Sequence, residues 1–139
     1  MTLELHATPE EVMRAVGELE KFALARGVPE KEIFGLTLAL EECGSNVVNH
    51  ALERDAQKTF QVVLEHVGGS VVIELRDQGH EFDPTVASER KLEADEDDLP
   101  GGWGIQLVRR YVDEICYQRV AGENILRLTK RLDLRADGK

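Results

Sequence analysis

The chain has 139 residues, 42% of them apolar, and 17 basic against 27 acidic side chains give it a net charge of −10. That is one domain's worth of sequence with enough apolar material for a real core, which argues against disorder. A chain that neutralises phosphates along a nucleic acid would carry the opposite sign of charge, so DNA and RNA are set aside. There is no N-terminal signal pattern and no apolar run long enough to cross a bilayer, so a cytoplasmic protein is expected. Cys43 and Cys116 each sit in an apolar stretch without CxxC spacing, and are expected to be buried, reduced thiols. The four histidines are scattered and form no metal-site pattern with the cysteines.

"LELHA" alternates as a short first strand. "TPEE" then reads as a helix start, with Thr8 as N-cap, Pro9 at the first helical position and Glu11 three residues after the cap. Val12, Val16, Leu19, Phe22 and Ala23 recur at helical spacing up to Gly27. After Val28-Pro29 a longer helix is expected from about Glu30 to Leu52, with Ile33, Leu36, Leu40, Cys43, Val47 and Ala51 as its apolar stripe. The period then changes. "TFQVVLEHV", a Gly68-Gly69 turn and "SVVIELRD" form a β-hairpin. Residues 77 to 104 read as irregular with an acidic middle, and "IQLVRRYV" as a short amphipathic helix. "EICYQRV", the turn "AGEN" and "ILRLTKRL" form a second hairpin, and residues 133–139 a frayed tail. Strands clustered and helices segregated predict an α+β fold. The expected architecture is a two-layer sandwich, its mixed, mostly antiparallel sheet covered by helices on one face.

Three stretches carry chemistry. Glu42, Asn46 and Asn49 are spaced four and three apart, so a helix presents them as one ridge beside the apolar stripe. A carboxamide oxygen there can join phosphate oxygens around Mg²⁺, and a carboxylate one turn away can orient an attacking hydroxyl. The plainer reading is a solvated helix face. In "DQGHEFDP", Asp77 ends an apolar strand with an acceptor-only side chain, and Gly79 would let a planar ligand approach the backbone. The plainer reading is ordinary turn chemistry. In "PGGWGIQLV", Gly101, Gly102 and Gly104 precede a helix whose N-terminal N–H groups suit phosphate. Alone, that too could be a plain loop. The three in this order in one small domain favour a nucleotide pocket.

With these motifs the sequence resembles the gyrase/histidine-kinase ATPase superfamily, the Bergerat fold. Within it, the chain is most similar to the small anti-sigma-factor serine/threonine kinases. The resemblance spans roughly residues 3 to 132. "EECGSNVVNHA" is similar to the asparagine box, "RDQGHEFDP" to the first glycine box with the Phe-Asp-Pro ending of this subgroup, and "GGWGIQLVRRYVDEICY" to the second. The resemblance implies Glu42 as general base and Asn46 as the Mg²⁺ ligand. It implies Asp77 as acceptor of the adenine amino group, with Gly79 under the ring. Gly102 and Gly104 would line the phosphates, with the helix from Ile105 behind them. Asn49, Phe82 and Trp103 complete the expected nucleotide surroundings, Trp103 either covering the nucleotide or packing on the lid. Two departures stand out. Glu81 stands where many relatives carry glycine, and the lid between Pro84 and Gly101 is short and acidic.

The activity so implied is an ATP- and Mg²⁺-dependent kinase that holds a sigma factor inactive and phosphorylates an anti-anti-sigma antagonist protein. A homodimer is expected by the same resemblance. Two other functions fit the same motifs: a nucleotide-dependent partner-switching module without turnover, and a histidine-kinase catalytic domain acting in trans.

Overall fold

A computed structural model gives the architecture, and it describes residues 1–86 and 99–132, with only the course of the backbone for 99–104. The expected tail at 133–139 and most of the acidic lid lie outside the described residues. In chain order the elements are β1 (Thr2–His6), α1 (Pro9–Ala25), α2 (Glu30–Asn46), a π-helical turn (Val47–Ala51), β2 (Thr59–Val67), β3 (Ser70–Asp77), α3 (Leu99–Tyr111), β4 (Glu114–Val120) and β5 (Glu123–Arg131).

The five strands form one sheet in the order β1-β2-β3-β5-β4, and every pairing is antiparallel. The sheet is thus wholly antiparallel among the described strands, where a mixed one was allowed for. Alternation fixes its faces, because successive side chains point to opposite sides. Leu5, Phe60, Val62, Leu64, Val71, Ile73, Leu75, Leu126 and Leu128 point into the core, where the apolar stripes of α1, α2 and α3 meet them. All six residues expected on the α2 stripe, from Ile33 to Ala51, are buried.

The helix ends follow local chemistry. Thr8 caps α1 by accepting from the Glu11 N–H at 3.2 Å, and Pro9 opens the helix. Glu11 reaches back past the cap to the N–H of His6 at 3.2 Å, which ties α1 to the end of β1. The second helix does not run as one α-helix to Leu52. It widens at Val47–Ala51 into a π turn closed by Leu52 N–H to Val47 O at 2.9 Å. Such single π turns displace the residues after them from the α-helical ridge.

Two further expectations are corrected. Cys43 is buried, but Cys116 is exposed. It lies on the edge strand β4, where Ile115 and Tyr117 take the core-facing positions and Cys116 points to the open face. The "AGEN" turn is shorter than it reads. Glu123 and Asn124 already belong to β5, paired with Val120 and Arg119, so the turn itself is Ala121-Gly122.

Both turn residues have positive φ, +52° at Ala121 and +80° at Gly122. That conformation suits an Asn-Gly pair in a two-residue hairpin and strains alanine through its Cβ. Ala121→Asn is therefore expected to stabilise the protein by about 1 kcal/mol. Urea unfolding checks this. An unchanged or lower midpoint would mean that Ala121 is unstrained.

Candidate functional site

One cleft gathers side chains from five parts of the chain. The C-terminal half of α2 supplies Cys43 and Asn46, the π turn Val47 and Ala51, and the tip of β3 Leu75 and Asp77. The loop after β3 adds Phe82 and Pro84, and the second hairpin adds Tyr117, Asn124 and Leu126. The cleft holds about 290 Å³ of space, counting the part open to solvent.

Asp77 sits where β3 ends, 4% exposed, in register with Phe60 on one side and Asn124 on the other. Its Oδ1 accepts from the Gly79 N–H at 2.8 Å and from Asn124 Nδ2 at 2.9 Å. Burial raises its pKa, and the Asn124 and Gly79 hydrogen bonds and the nearby Arg119 cation oppose that rise. An oriented carboxylate at the bottom of an apolar cleft is an acceptor for a donor on a ligand.

Asn46 is 6% exposed and faces the same cleft. Glu42, one turn before it on α2, is half-buried, and burial raises its pKa, with the neighbouring Glu41 charge adding to the effect. A carboxylate with a raised pKa is a better proton acceptor near neutral pH. Cys43, between these residues, has its thiol pushed up to about 12 by burial, so it is an inert part of the wall.

The structure does not bring every expected residue to the cleft. Asn49 is exposed and accepts from Arg54 Nε at 3.3 Å, beside Ala7 and Thr8 on another face of the molecule. The π turn breaks the ridge that a continuous α-helix would have made. Phe82 does line the cleft, and its ring stacks on His50 with centroids 4.8 Å apart and planes 17° from parallel. Ile105 is 1% exposed and belongs to the core instead of the cleft. Gly102, Trp103 and Gly104 were expected ahead of the helix, but α3 begins at Leu99 and takes them into its first turns. Pro100 fits there, since a helix's first turn needs no N–H at that position. The side chains of 99–104 lie outside the described residues. Glu81 is exposed, so solvent weakens its effect on the cleft.

Gly79 has a different reason from the one its sequence context gives. A Cβ there would stand 2.1 Å from the carbonyl oxygen of Ala51, so it is the protein's own backbone that needs glycine. The His80 N–H donates to the same oxygen at 3.0 Å, fastening the loop to the end of the π turn. Asn124 and Tyr117 went unnoticed in the sequence. Asn124 looked like part of a turn; the signal that finds it is the two-residue reading of that turn, which moves it onto a strand facing Asp77.

Among the described residues no group of three or more His, Cys, Asp or Glu could hold a metal ion. The oxygens present, one carboxamide and one carboxylate a turn apart, fit a cation that takes most of its shell from water and a ligand's phosphates.

The comparisons with known proteins bear on this geometry. Residues 5–130 match the model of the histidine kinase-like ATPase domain. The chain belongs to that family. Over 129 residues, covering 92% of this chain and 91% of the relative, it is 34% identical to the serine/threonine-protein kinase BtrW of Bordetella bronchiseptica. The fold is similar to the RsbU and RsbW domains of a Mycobacterium tuberculosis protein, with a TM-score of 0.63 and 20% identity over 95% of this chain. It spans only 32% of that longer protein. It is also similar to the SiaB–SiaC complex of Pseudomonas aeruginosa, with a TM-score of 0.61 and 13% identity over 94% of this chain and 88% of that one. The expected two-layer Bergerat-type fold is thereby borne out.

Gly79→Ala tests the fastening of the loop. The added methyl must push the loop off the Ala51 carbonyl, and the protein should lose about 1–3 kcal/mol of stability, as overpacked sites do. Denaturant unfolding measures it, and a loss under about 0.5 kcal/mol would mean that the loop yields freely.

Proposed function

We propose that this chain is an ATP-dependent serine/threonine protein kinase that also acts as an anti-sigma factor. It would hold a sigma factor and phosphorylate an anti-anti-sigma antagonist protein, working in the cytoplasm as a homodimer. The single observation that carries the site assignment is the meeting of Asp77 and Asn46 in one cleft of an ATPase-family domain, with Glu42 one turn away. The kinase assignment rests on the relationship to a serine/threonine-protein kinase over nearly the whole chain. The sigma-factor assignment rests on the asparagine-box and Phe-Asp-Pro motifs.

In this reading the adenine amino group donates to Asp77, with Phe82 at the mouth of the cleft. Asn46 offers its carboxamide oxygen to Mg²⁺, which neutralises charge on the phosphates when bound. Gly101, Gly102 and Gly104, in the first turns of α3, would face the phosphates, where lack of a Cβ lets phosphate oxygens approach the backbone. Phosphoryl transfer is mostly positioning and charge stabilisation. The hydroxyl oxygen of the partner's serine or threonine bonds to the γ-phosphorus, the bond to the bridging oxygen breaks, and ADP leaves. The hydroxyl proton goes to Glu42.

Asp77→Asn replaces an acceptor by a group that can present a donor, so ADP affinity should fall at least about tenfold, the cost of one unsatisfied buried group. Calorimetry reads it, and equal affinity for the two proteins would remove Asp77 from the base site. Glu42→Gln keeps the shape without the basicity. ADP affinity should stay within about tenfold, roughly 1.4 kcal/mol, while transfer to the antagonist drops by about 10² to 10⁴. Because burial raises the Glu42 pKa, wild-type transfer should fall as the pH drops through a value above the ordinary glutamate range. The variant should lack that limb. Radiolabelled transfer to partners captured with Mg-ATP measures both, and acid-stable phosphate on the product separates serine or threonine from histidine. Transfer by Glu42→Gln at the wild-type rate would exclude the general-base role.

A further inference from the structure

Asn124 is 4% exposed and sits at the start of β5, directly across from Asp77. Its carboxamide is fully used by the protein. Nδ2 donates to Asp77 Oδ1 at 2.9 Å and to the His80 carbonyl oxygen at 2.6 Å. Oδ1 accepts from the Tyr117 hydroxyl, from Arg119 Nη1 at 3.0 Å and from the Phe82 N–H at 3.4 Å. Chemistry forces this orientation of the amide: a carboxylate and a carbonyl can only accept, and a guanidinium can only donate. With two donors and two lone pairs committed, Asn124 has nothing left for a ligand, although it lines the cleft.

Its effect on a ligand therefore passes through the groups it holds, and Asp77 is the one among them that offers a carboxylate to the cleft. Both hydrogen bonds described for the Asp77 carboxylate, from Gly79 and from Asn124, fall on Oδ1. That leaves Oδ2 as the acceptor for a bound group. Arg119, which also donates to the Gly79 carbonyl oxygen at 2.9 Å, and Tyr117 hold the far side of the carboxamide in place.

We propose that Asn124 is a positioning residue for the nucleotide base, fixing Asp77 so that Oδ2 meets an exocyclic amino group and turns away a 6-oxo purine. The inference rests on the nucleotide reading of the cleft. It goes beyond that reading by assigning base selectivity to a side chain that does not touch the base. An ionised Oδ2 attracts an amino group and repels a carbonyl oxygen. Asn124→Asp puts a second acceptor against both Asp77 and the His80 carbonyl. Two carboxylates at that separation share one proton, so Oδ2 is no longer held as an ionised acceptor and the preference for an amino over an oxo group is lost.

The test compares ADP with IDP, which differ in the 6-amino or 6-oxo group and in the N1 proton that accompanies the oxo form, by calorimetry on the full chain. Wild type should prefer ADP by about 10² or more, as sites built around one hydrogen bond do. Asn124→Asp should weaken ADP about tenfold or more and bring the ADP/IDP ratio to within about threefold of unity. Tyr117→Phe removes one clamp on the carboxamide and should reduce the ratio by about two- to fivefold. It also stands in if Asn124→Asp fails to fold by circular dichroism. A folded Asn124→Asp with the wild-type ratio would overturn the proposal. So would an unfolded Asn124→Asp together with an unchanged ratio in Tyr117→Phe. A wild type that binds both nucleotides equally overturns base selectivity alone. One that binds neither overturns the nucleotide reading as well.

Discussion

Ending a central strand with a buried carboxylate is the constraint around which the rest of the molecule is arranged. Asp77 is taken out of water at the tip of β3, and burial opposes its ionisation. The sheet answers with a carboxamide at the matching position of β5, and the loop answers with the Gly79 N–H. The loop can do so only by running against the Ala51 carbonyl, which forces glycine at 79 and brings the His80 N–H to the same oxygen. Strand tip, loop, helix end and second hairpin are thus held to one another by groups that satisfy a single carboxylate.

The open face of the sheet shows the same requirement met differently. Glu74, 8% exposed in the middle of β3, lies between Arg76 Nε at 2.6 Å and Arg127 Nη1 at 3.3 Å. There the charge is neutralised by cations on neighbouring positions. Asp77 is instead held mainly by neutral donors, with Arg119 one step removed. A carboxylate held by neutral groups keeps its charge available to a ligand, whereas one neutralised by two arginines has little left to offer. That difference separates a carboxylate neutralised on the open face from one kept accessible in a cleft three residues away.

The sequence made the periodic parts legible. The α2 stripe, both hairpins and the cap at Thr8 follow from spacing and turn chemistry, and with them the places of Asp77 and Asn46. What stayed hidden were departures from regularity. Nothing in "VVNHA" marks a π turn, because its residues suit an α-helix as well, and so Asn49 was grouped with Asn46. Asn124 was hidden because "AGEN" looks like a four-residue turn, whereas an alanine with positive φ makes it a two-residue one. Cys116 looked buried because it is flanked by Ile115 and Tyr117. On an edge strand, alternation sends the residue between two core-facing ones outward.

The insertion of β5 between β3 and β4 has a consequence for the order in which the protein assembles. Asp77 and Asn124 are 47 residues apart in the chain, and β5 is the last described strand to be synthesised. Until it emerges, β3 has an unpaired edge and Asp77 lacks its carboxamide, so a nascent chain has the N-terminal helices but only part of the cleft around Asp77. Closing so long a loop is slow beside hairpin formation. In a growing chain the cleft around Asp77 would therefore close only once the second hairpin has docked on β3.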